Sequence, residues 1–184
     1  MLGLVRGRVA LQEHREEWAE AAQETIARLA SVLAGEAVEI EHVGSTAVRG
    51  ICAKPIIDIA VGMRSPEALE AFLGPLAQAG FIDRGEDVPG QRLLVLGDDA
   101  RQLRTHHIHV VPWGGQAWRN YINFRDYLNA HPEQAARYDA LKRTLAAAHA
   151  CERGAYTAGK AQLVAELLER ARVWKAAKER EGEE

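Results

Sequence analysis

The chain has 184 residues, of which 47% are hydrophobic, so it is long enough for one globular domain with a substantial core. Its formal net charge of −3 argues against the broadly basic surface that binds nucleic acids or anionic membranes. No stretch approaches the roughly 20 apolar residues that a membrane span requires, and the amino-terminal residues lack the apolar run of a signal peptide. The two cysteines, Cys52 and Cys151, lack metal-ligand spacing. We therefore expect a cytoplasmic protein without membrane or nucleic-acid partners.

The first part of the chain predicts a mixed sheet with flanking helices, because helical and strand-like hydrophobic patterns alternate along it. The expected elements, in chain order, are a helix over 13–33, a strand over 38–43, a buried strand over 55–61, a helix from Ser65 to about Gly80, a short strand at 81–82 and, after a loop, a hairpin of strands 92–97 and 103–111.

From residue 113 onwards the composition predicts helices, each with one apolar face. We expect helices over 116–130, 132–151 and 157–178, followed by a charged and frayed tail. The predicted fold class is therefore α+β, with a sheet-containing core over 1–112 and a helical bundle over 113–184 packed on it as one compact unit.

Asp58 interrupts an apolar strand, where burying an unpaired carboxylate costs several kcal/mol. Side chains two residues apart share one face of a strand, so His107 and His109 lie on the same face. If the two strands are neighbours, Asp58 meets both histidines, and Glu41, or His42 on the opposite face, supplies a fourth group. Carboxylate and imidazole groups together suit a divalent metal or a general acid–base pair.

A second pattern is basic and indicates phosphate binding. Gly44 and Ser45 form a turn whose backbone N–H groups are suited to a phosphate, and basic side chains would complete such a site. The candidate basic residues, each near an element boundary or beside apolar helix residues, are Lys54, Arg104, Arg125, Lys142 and Lys160.

The segments HVGSTAVRGICAKPIIDI, RTHHIHVV and FRDYL, together with Tyr156, Gly159 and Lys160, resemble the GrpB-like family over about residues 13–171. The resemblance implies a nucleotidyltransferase-type fold. Members of that family occur fused to dephospho-CoA kinase, so the resemblance also implies an association with CoA biosynthesis.

The resemblance further implies roles for individual residues. In nucleotidyltransferases a Gly-Ser turn holds nucleotide phosphates, and acids on the next strand hold the metal ions that bridge them. By this resemblance Asp58 is a metal ligand, but Ala60 stands where a second acid is expected, and His107 and His109 lie near the position of a third. One carboxylate with two imidazoles is better suited to zinc, manganese or iron than to magnesium. The residues expected to bind the phosphates or the nucleotide are Gly44, Ser45, Lys54, Arg104, Arg125, Lys142, Tyr156 and Lys160.

Three functions are compatible with these patterns. The first is transfer of a nucleotidyl or phosphoryl group from an NTP to a small acceptor, with Asp58, His107 and His109 as catalytic or metal-binding residues, Glu41 as a further candidate ligand, and Mg²⁺, Mn²⁺ or Zn²⁺ as the metal. The second is a non-catalytic module that binds a nucleotide or a CoA precursor and assists a partner. The third is a metal-dependent phosphoesterase.

Overall fold

The structure, a computed structural model, describes residues 2–181, apart from the side chain of Asp87. The strands are β1 (Leu4–Val5), β2 (Ala37–Val43), β3 (Ile57–Met63), β4 (Ile82–Val88), β5 (Gln91–Asp98) and β6 (Leu103–Pro112). The α-helices are α1 (Glu17–Leu33), α2 (Leu73–Gln78), α3 (Gln116–Ala130), α4 (Pro132–Ala148) and α5 (Arg153–Glu181), and short 3₁₀ helices span Ser45–Ala47 and Pro66–Phe72.

The described strands form one mixed sheet in the order β2-β3-β6-β5-β4, and β1 pairs with the start of β6. β3 and β6 run parallel, whereas the β2–β3, β4–β5 and β5–β6 pairs are antiparallel. The predicted α+β class is confirmed. The hairpin predicted over 92–111 is also confirmed, because β5 and β6 pair directly.

The helices cover both faces of the sheet. Ile57, Ile59 and Val61 point to one face, where they pack with Trp18 and Leu29 of α1 as the alternation along β3 predicts. On the other face the fully buried Ala60 packs with Val43, Val111 and Trp118, beneath α3. The helices α3, α4 and α5 share a further core with residues 48–51. Among residues 2–181, no helix combines the length and apolar character that crossing a bilayer demands.

Two predicted elements differ in the structure. The segment after Phe81, expected to be a strand of two residues and a loop, is the seven-residue strand β4, paired with β5 up to the turn at Gly90. Its register shifts twice, and Gly85 has a φ of +74°. An edge strand tolerates polar residues and bulges of this kind, so its hydrophobic pattern is weak.

The helix expected from Ser65 to Gly80 is split into a 3₁₀ turn and α2. Pro75 accounts for this, because it lacks an N–H and is tolerated only within the first turn of the α-helix that begins at Leu73. The other helix ends shift by a few residues: α1 begins at Glu17, α4 ends at Ala148, and α5 begins at Arg153. α5 also continues to Glu181, through most of the segment expected to fray, and 182–184 lie outside the described residues.

Acid is expected to destabilise the fold through His106. Its Nε2 lies 3.2 Å from Oγ1 of Thr25, and burial lowers its pKa to about 4 from an ordinary 6.5. Between these values the unfolded chain binds more protons than the folded chain, so the free energy of unfolding falls as pH falls, by up to about 1.4 kcal/mol per pH unit. Urea unfolding from pH 7.5 to pH 4.5 measures this slope.

The variant His106→Gln supplies the control, because it removes the titrating group and keeps a polar side chain. Its slope should be shallower than that of the unmodified protein. Identical slopes would show that His106 does not contribute. His42, whose pKa burial also lowers to about 4, should add an effect of the same sign.

Candidate functional site

A cavity of about 590 Å³ lies between the sheet and the three carboxyl-terminal helices. The strands β3 and β6, the start of β5 and the turn after β2 form one side, and α3, α4 and α5 form the other. The polar and charged lining residues are Ser45, Thr46, Lys54, Asp58, Gln91, His107, His109, Asn120, Tyr121, Tyr138, Lys142, Arg153, Tyr156, Thr157 and Lys160. Gly44, Ile56, Ala117, Phe124, Ala161, Val164 and Leu168 complete the lining.

The structure brings Asp58, His107 and His109 together on the sheet side of this cavity. The parallel register places Asp58 opposite His107 and Ala60 opposite His109. Nδ1 of His107 and Nε2 of His109 each lie 3.4 Å from Oδ1 of Asp58. One potential ligand atom from each of the three residues lies within 4.8 Å of the other two. These residues could therefore share one metal ion.

The carboxyl group of Asp58 is held in its ionised form. Burial by itself raises its pKa, but the hydrogen bonds and charges of His107 and His109 outweigh that effect, and the pKa lies well below its ordinary value. An ionised carboxylate beside two imidazoles is the donor set of many transition-metal sites. Because Ala60 is buried among apolar residues, the described residues supply no second acid at that position.

Gly44 allows the strand β2 to end directly against Asp58. Its φ of +71° and ψ of −168° lie in a region that only glycine adopts readily. A methyl group at Gly44 would lie 2.5 Å from Oδ2 of Asp58. The glycine is therefore needed both for the turn and for the position of the carboxylate.

Tyr121 holds His109 from the helical side. The two rings stack with their centroids 5.0 Å apart, and Oη of Tyr121 donates a hydrogen bond to Oε1 of Gln91 at 2.9 Å. These contacts tie the imidazole to both α3 and β5. The orientation of His109 thus depends on the docking of α3 against the sheet.

The basic side of the cavity is formed by α4, α5 and the loop before β3. The ammonium groups of Lys54 and Lys160 lie 5.3 Å and 4.6 Å from the ring centroid of Tyr156. Lys142 lies 4.7 Å from the ring centroid of Tyr138 and donates a hydrogen bond to the carbonyl of Cys52. The cavity thus gathers three of the five predicted basic residues.

Burial is the main cause of the lowered pKa values of these lysines. Burial, followed by repulsion from Lys54 and Lys142, lowers the pKa of Lys160 to about 8. Burial also lowers the pKa of Lys142 to about 8, and burial and Arg153 lower that of Lys54. An anion in the cavity would relieve both the repulsion and part of the desolvation.

Three predicted site residues lie elsewhere. Arg104 projects to the opposite face of β6, and its Nη1 lies 3.0 Å from Oδ1 of Asp99. Arg125 donates to Oε2 of Glu41 at 2.6 Å and to the carbonyl of His42 at 2.9 Å, and it does not line the cavity. Glu41 lies outside the cluster of Asp58 and the histidines. The ion pair between Arg125 and Glu41 fastens α3 to β2.

The sequence patterns missed several lining residues, above all Tyr138 and Arg153. Tyr138 is one helical turn before Lys142, and Ser45 donates a hydrogen bond to its Oη at 3.5 Å. Arg153 opens α5, three residues before Tyr156. Helical spacing from the predicted residues could have indicated Tyr138, whereas Arg153 fell before the predicted start of its helix.

Comparisons with known proteins agree with this architecture. A family model described as GrpB protein matches residues 8–170. The crystal structure of the conserved protein GrpB from Enterococcus faecalis has a TM-score of 0.82 and 30% sequence identity to this chain, and the match covers 90% of this chain and 99% of that one. The glutamate-rich protein GrpB of Alkalihalophilus pseudofirmus is 37% identical over 171 residues, which are 91% of this chain and 98% of that protein.

Longer proteins also match. The protein YqkA of Bacillus subtilis is 37% identical, but this chain spans only 47% of its length. A dephospho-CoA kinase of Mycolicibacterium paratuberculosis is 32% identical over 166 residues, and the match covers 77% of this chain and 40% of the kinase. This sequence pattern therefore also occurs as part of larger polypeptides.

The fold and the site define an α+β protein in which a mixed sheet and a helical bundle enclose a basic cavity with one aspartate and two histidines. The family match over residues 8–170, and the near full-length similarity to a GrpB protein, identify the group. The chain belongs to the GrpB family, and the resemblance noted in its sequence is confirmed.

Proposed function

We propose that the cavity binds a nucleoside triphosphate and that the protein transfers a nucleotidyl or phosphoryl group from it to a small acceptor. One observation carries the proposal: Asp58, His107 and His109 share a single cavity with Lys54, Lys142, Arg153 and Lys160. The only acid among the described lining residues is Asp58. The cavity therefore favours an anionic ligand, and phosphate groups fit both its charge and its mixture of donors.

The three clustered residues fit a divalent metal. Asp58, His107 and His109 would hold it, and their donor set favours Zn²⁺, Mn²⁺ or Fe²⁺ over Mg²⁺. A bound metal would supply a Lewis acid for a phosphoryl oxygen. The protein itself would position the phosphates through Lys54 and Lys160, and the walls formed by α3 and α5 would limit the access of water.

The basic side chains would also stabilise the leaving group. In such a transfer the acceptor oxygen forms a bond to phosphorus as the bond to the leaving group breaks, and the acceptor proton passes to solvent. The leaving group is the nucleoside diphosphate in phosphoryl transfer and pyrophosphate in nucleotidyl transfer. Negative charge accumulates on the phosphate oxygens of the leaving group. Lys160 and Arg153, at the start of α5, lie in the same cavity and would neutralise that charge.

A second candidate function is a binding module without turnover. Two observations favour it: Ala60 replaces the second acid of nucleotidyltransferases, and a dephospho-CoA kinase matches over 40% of its own length. In that case the cavity would bind a nucleotide or a CoA precursor and assist a partner enzyme.

Calorimetry with ATP and GTP, each with Mg²⁺, Mn²⁺ or Zn²⁺ and also without metal, distinguishes these functions. Metal-dependent binding supports the transferase, and ³¹P NMR with candidate acceptors then tests turnover. Binding that is independent of metal supports the module. Release of inorganic phosphate without any acceptor would identify a phosphoesterase, and the absence of binding by any nucleotide would contradict the proposal.

Phosphate binding should weaken at alkaline pH. Lys142 and Lys160 have pKa values of about 8 in the free protein, and a bound phosphate would raise them. Affinity should therefore stay nearly constant below about pH 7 and fall above pH 8, by up to about tenfold per pH unit for each lysine that must be protonated. Pyrophosphate titrations between pH 6.5 and 9.5 measure this dependence when the unmodified protein is compared with a variant that stays charged, because the protons that pyrophosphate itself loses affect both proteins equally.

Lys160→Arg is the matched variant, since an arginine remains charged throughout this range. It should bind pyrophosphate with a shallower dependence on pH. Calorimetry at pH 8.5 in two buffers with different ionisation enthalpies should also show proton uptake by the unmodified protein. Identical profiles for the unmodified protein and Lys160→Arg would contradict the role of Lys160.

A further inference from the structure

The cavity wall formed by α5 changes from cationic to apolar along the helix. Its first lining residues are Arg153, Tyr156, Thr157 and Lys160, and its last are Ala161, Val164 and Leu168. At 1.5 Å per residue these positions extend over about 22 Å. A phosphate chain bound at the cationic end would not contact the apolar end, which is therefore available to another part of the ligand.

The helix α3 supplies the facing wall of the apolar end. Its lining residues Ala117, Asn120, Tyr121 and Phe124 recur at helical spacing on one face. Phe124 and Val164, one from each helix, pack against the same buried cluster. The apolar ends of both walls are therefore adjacent.

This apolar end has aromatic and amide groups as well as aliphatic ones. The ring of Phe124 meets that of Tyr138 edge to face, with centroids 5.5 Å apart, and Tyr121 stacks on His109. Gln91 and Asn120 line the cavity and are anchored through their carbonyl oxygens, by Tyr121 at 2.9 Å and by Gln116 at 2.7 Å. An alkyl chain here would face amides it could not satisfy, whereas a heteroaromatic ring could use them.

We infer that the space between Phe124 on α3 and Val164 and Leu168 on α5 is a subsite for a flat heteroaromatic group that is attached to the phosphate, as in a nucleoside phosphate. This inference rests on the proposed nucleotide site and adds the part of the cavity in which the base binds. The aromatic rings supply stacking area, and the amides supply contacts to ring nitrogen and oxygen atoms.

Ligands with the same diphosphate head test the inference. Calorimetry would compare inorganic pyrophosphate with ADP, GDP, CDP, UDP and geranyl diphosphate, under one set of buffer and metal conditions. At least one nucleoside diphosphate should bind roughly 10- to 100-fold more tightly than pyrophosphate, the range that stacking of one base supplies. Geranyl diphosphate should gain less than that nucleotide.

Two alanines on α5 provide a matched pair of variants. Ala161 and Ala165 are both exposed, but only Ala161 lines the cavity. Ala161→Leu should weaken binding of the preferred nucleoside diphosphate about tenfold and leave pyrophosphate binding unchanged. Ala165→Leu should change neither, because leucine is almost as good a helix former as alanine.

The outcomes separate the subsite from the phosphate site. If pyrophosphate binds and no nucleoside diphosphate binds more tightly, the subsite is wrong and the phosphate site stands. The subsite is also wrong if geranyl diphosphate gains as much as the nucleotides, or if Ala161→Leu weakens pyrophosphate equally. If neither pyrophosphate nor any nucleotide binds, the proposed function fails and the subsite fails with it.

Discussion

Replacing Asp58 with asparagine should weaken the binding of Zn²⁺ or Mn²⁺ by about 100-fold or more. Loss of a group that merely orients a metal ligand typically costs 10- to 100-fold in affinity, so loss of a direct ligand should cost at least as much. The asparagine has nearly the same shape, so it fits against Gly44, but it lacks the charge that the cluster with His107 and His109 requires. Metal titrations by calorimetry and the metal content of the purified protein would both report the change.

The same variant should affect metal-free anions in the opposite direction. Asp58 is the only acid among the described lining residues, so removing its charge makes the cavity more positive. Pyrophosphate without metal should bind Asp58→Asn as tightly as the unmodified protein, or more tightly. The combination of lost metal binding and retained anion binding cannot result from unfolding.

Asp98→Asn is the control, since Asp98 lies at the turn between β5 and β6 and contacts Arg101. It should leave the binding of both metal and pyrophosphate unchanged. Unaltered metal affinity in Asp58→Asn would contradict the metal site and leave the binding module as the better function.

The central cluster could be predicted from sequence because a strand has a fixed alternation. Once Asp58 and His107 lie on adjacent strands, two-residue periodicity alone places His109 on the same face. Asp58 is also unusual as a carboxylate within an apolar run, and this indicated that a polar or charged side chain must lie beside it. Only the pairing of β3 with β6 required the structure.

The positions of Arg104 and Arg125 outside the cavity have equally specific causes. Arg104 was expected near phosphate because it lies near an element boundary, yet it is an odd number of residues from His107 and His109 and so projects to the opposite face of β6. Alternation could have excluded it. For Arg125 no local pattern was sufficient. Successive side chains of a helix point in directions about 100° apart, and only the docking of α3 against the sheet decides which of these side chains face the cavity.

The basic side of the cavity also depends on the packing of helices, as the position of Arg125 does. Lys142 and Lys160 belong to different helices, and they approach each other because α4 and α5 pack closely. Gly159 permits this, since a methyl group there would lie 2.5 Å from Cδ2 of Leu145. The sequence motif Tyr-x-x-Gly-Lys thus combines an aromatic surface, a close helix contact and a cation within one helical turn and a half.

Replacing Gly44 with alanine should damage both the fold and the site. Its backbone conformation is strained for other residues by about 1–3 kcal/mol. The added methyl group would also displace Asp58, because it would lie 2.5 Å from Oδ2 and 2.9 Å from Cβ of that residue. The free energy of unfolding should therefore fall by more than the backbone strain alone, and metal affinity should fall with it.

Gly50→Ala is the control for a glycine at positive φ that has no neighbour to contact. Gly50 has a φ of +74°, close to that of Gly44, but a methyl group there would meet open space. Its substitution should cost only backbone strain, about 1–2 kcal/mol, and should leave metal affinity unchanged. Denaturant unfolding and metal titration on both variants make the comparison. Unchanged metal affinity in Gly44→Ala would show that Gly44 serves the turn alone. A fall in metal affinity in Gly44→Ala but not in Gly50→Ala would show that Gly44 also keeps Asp58 in position.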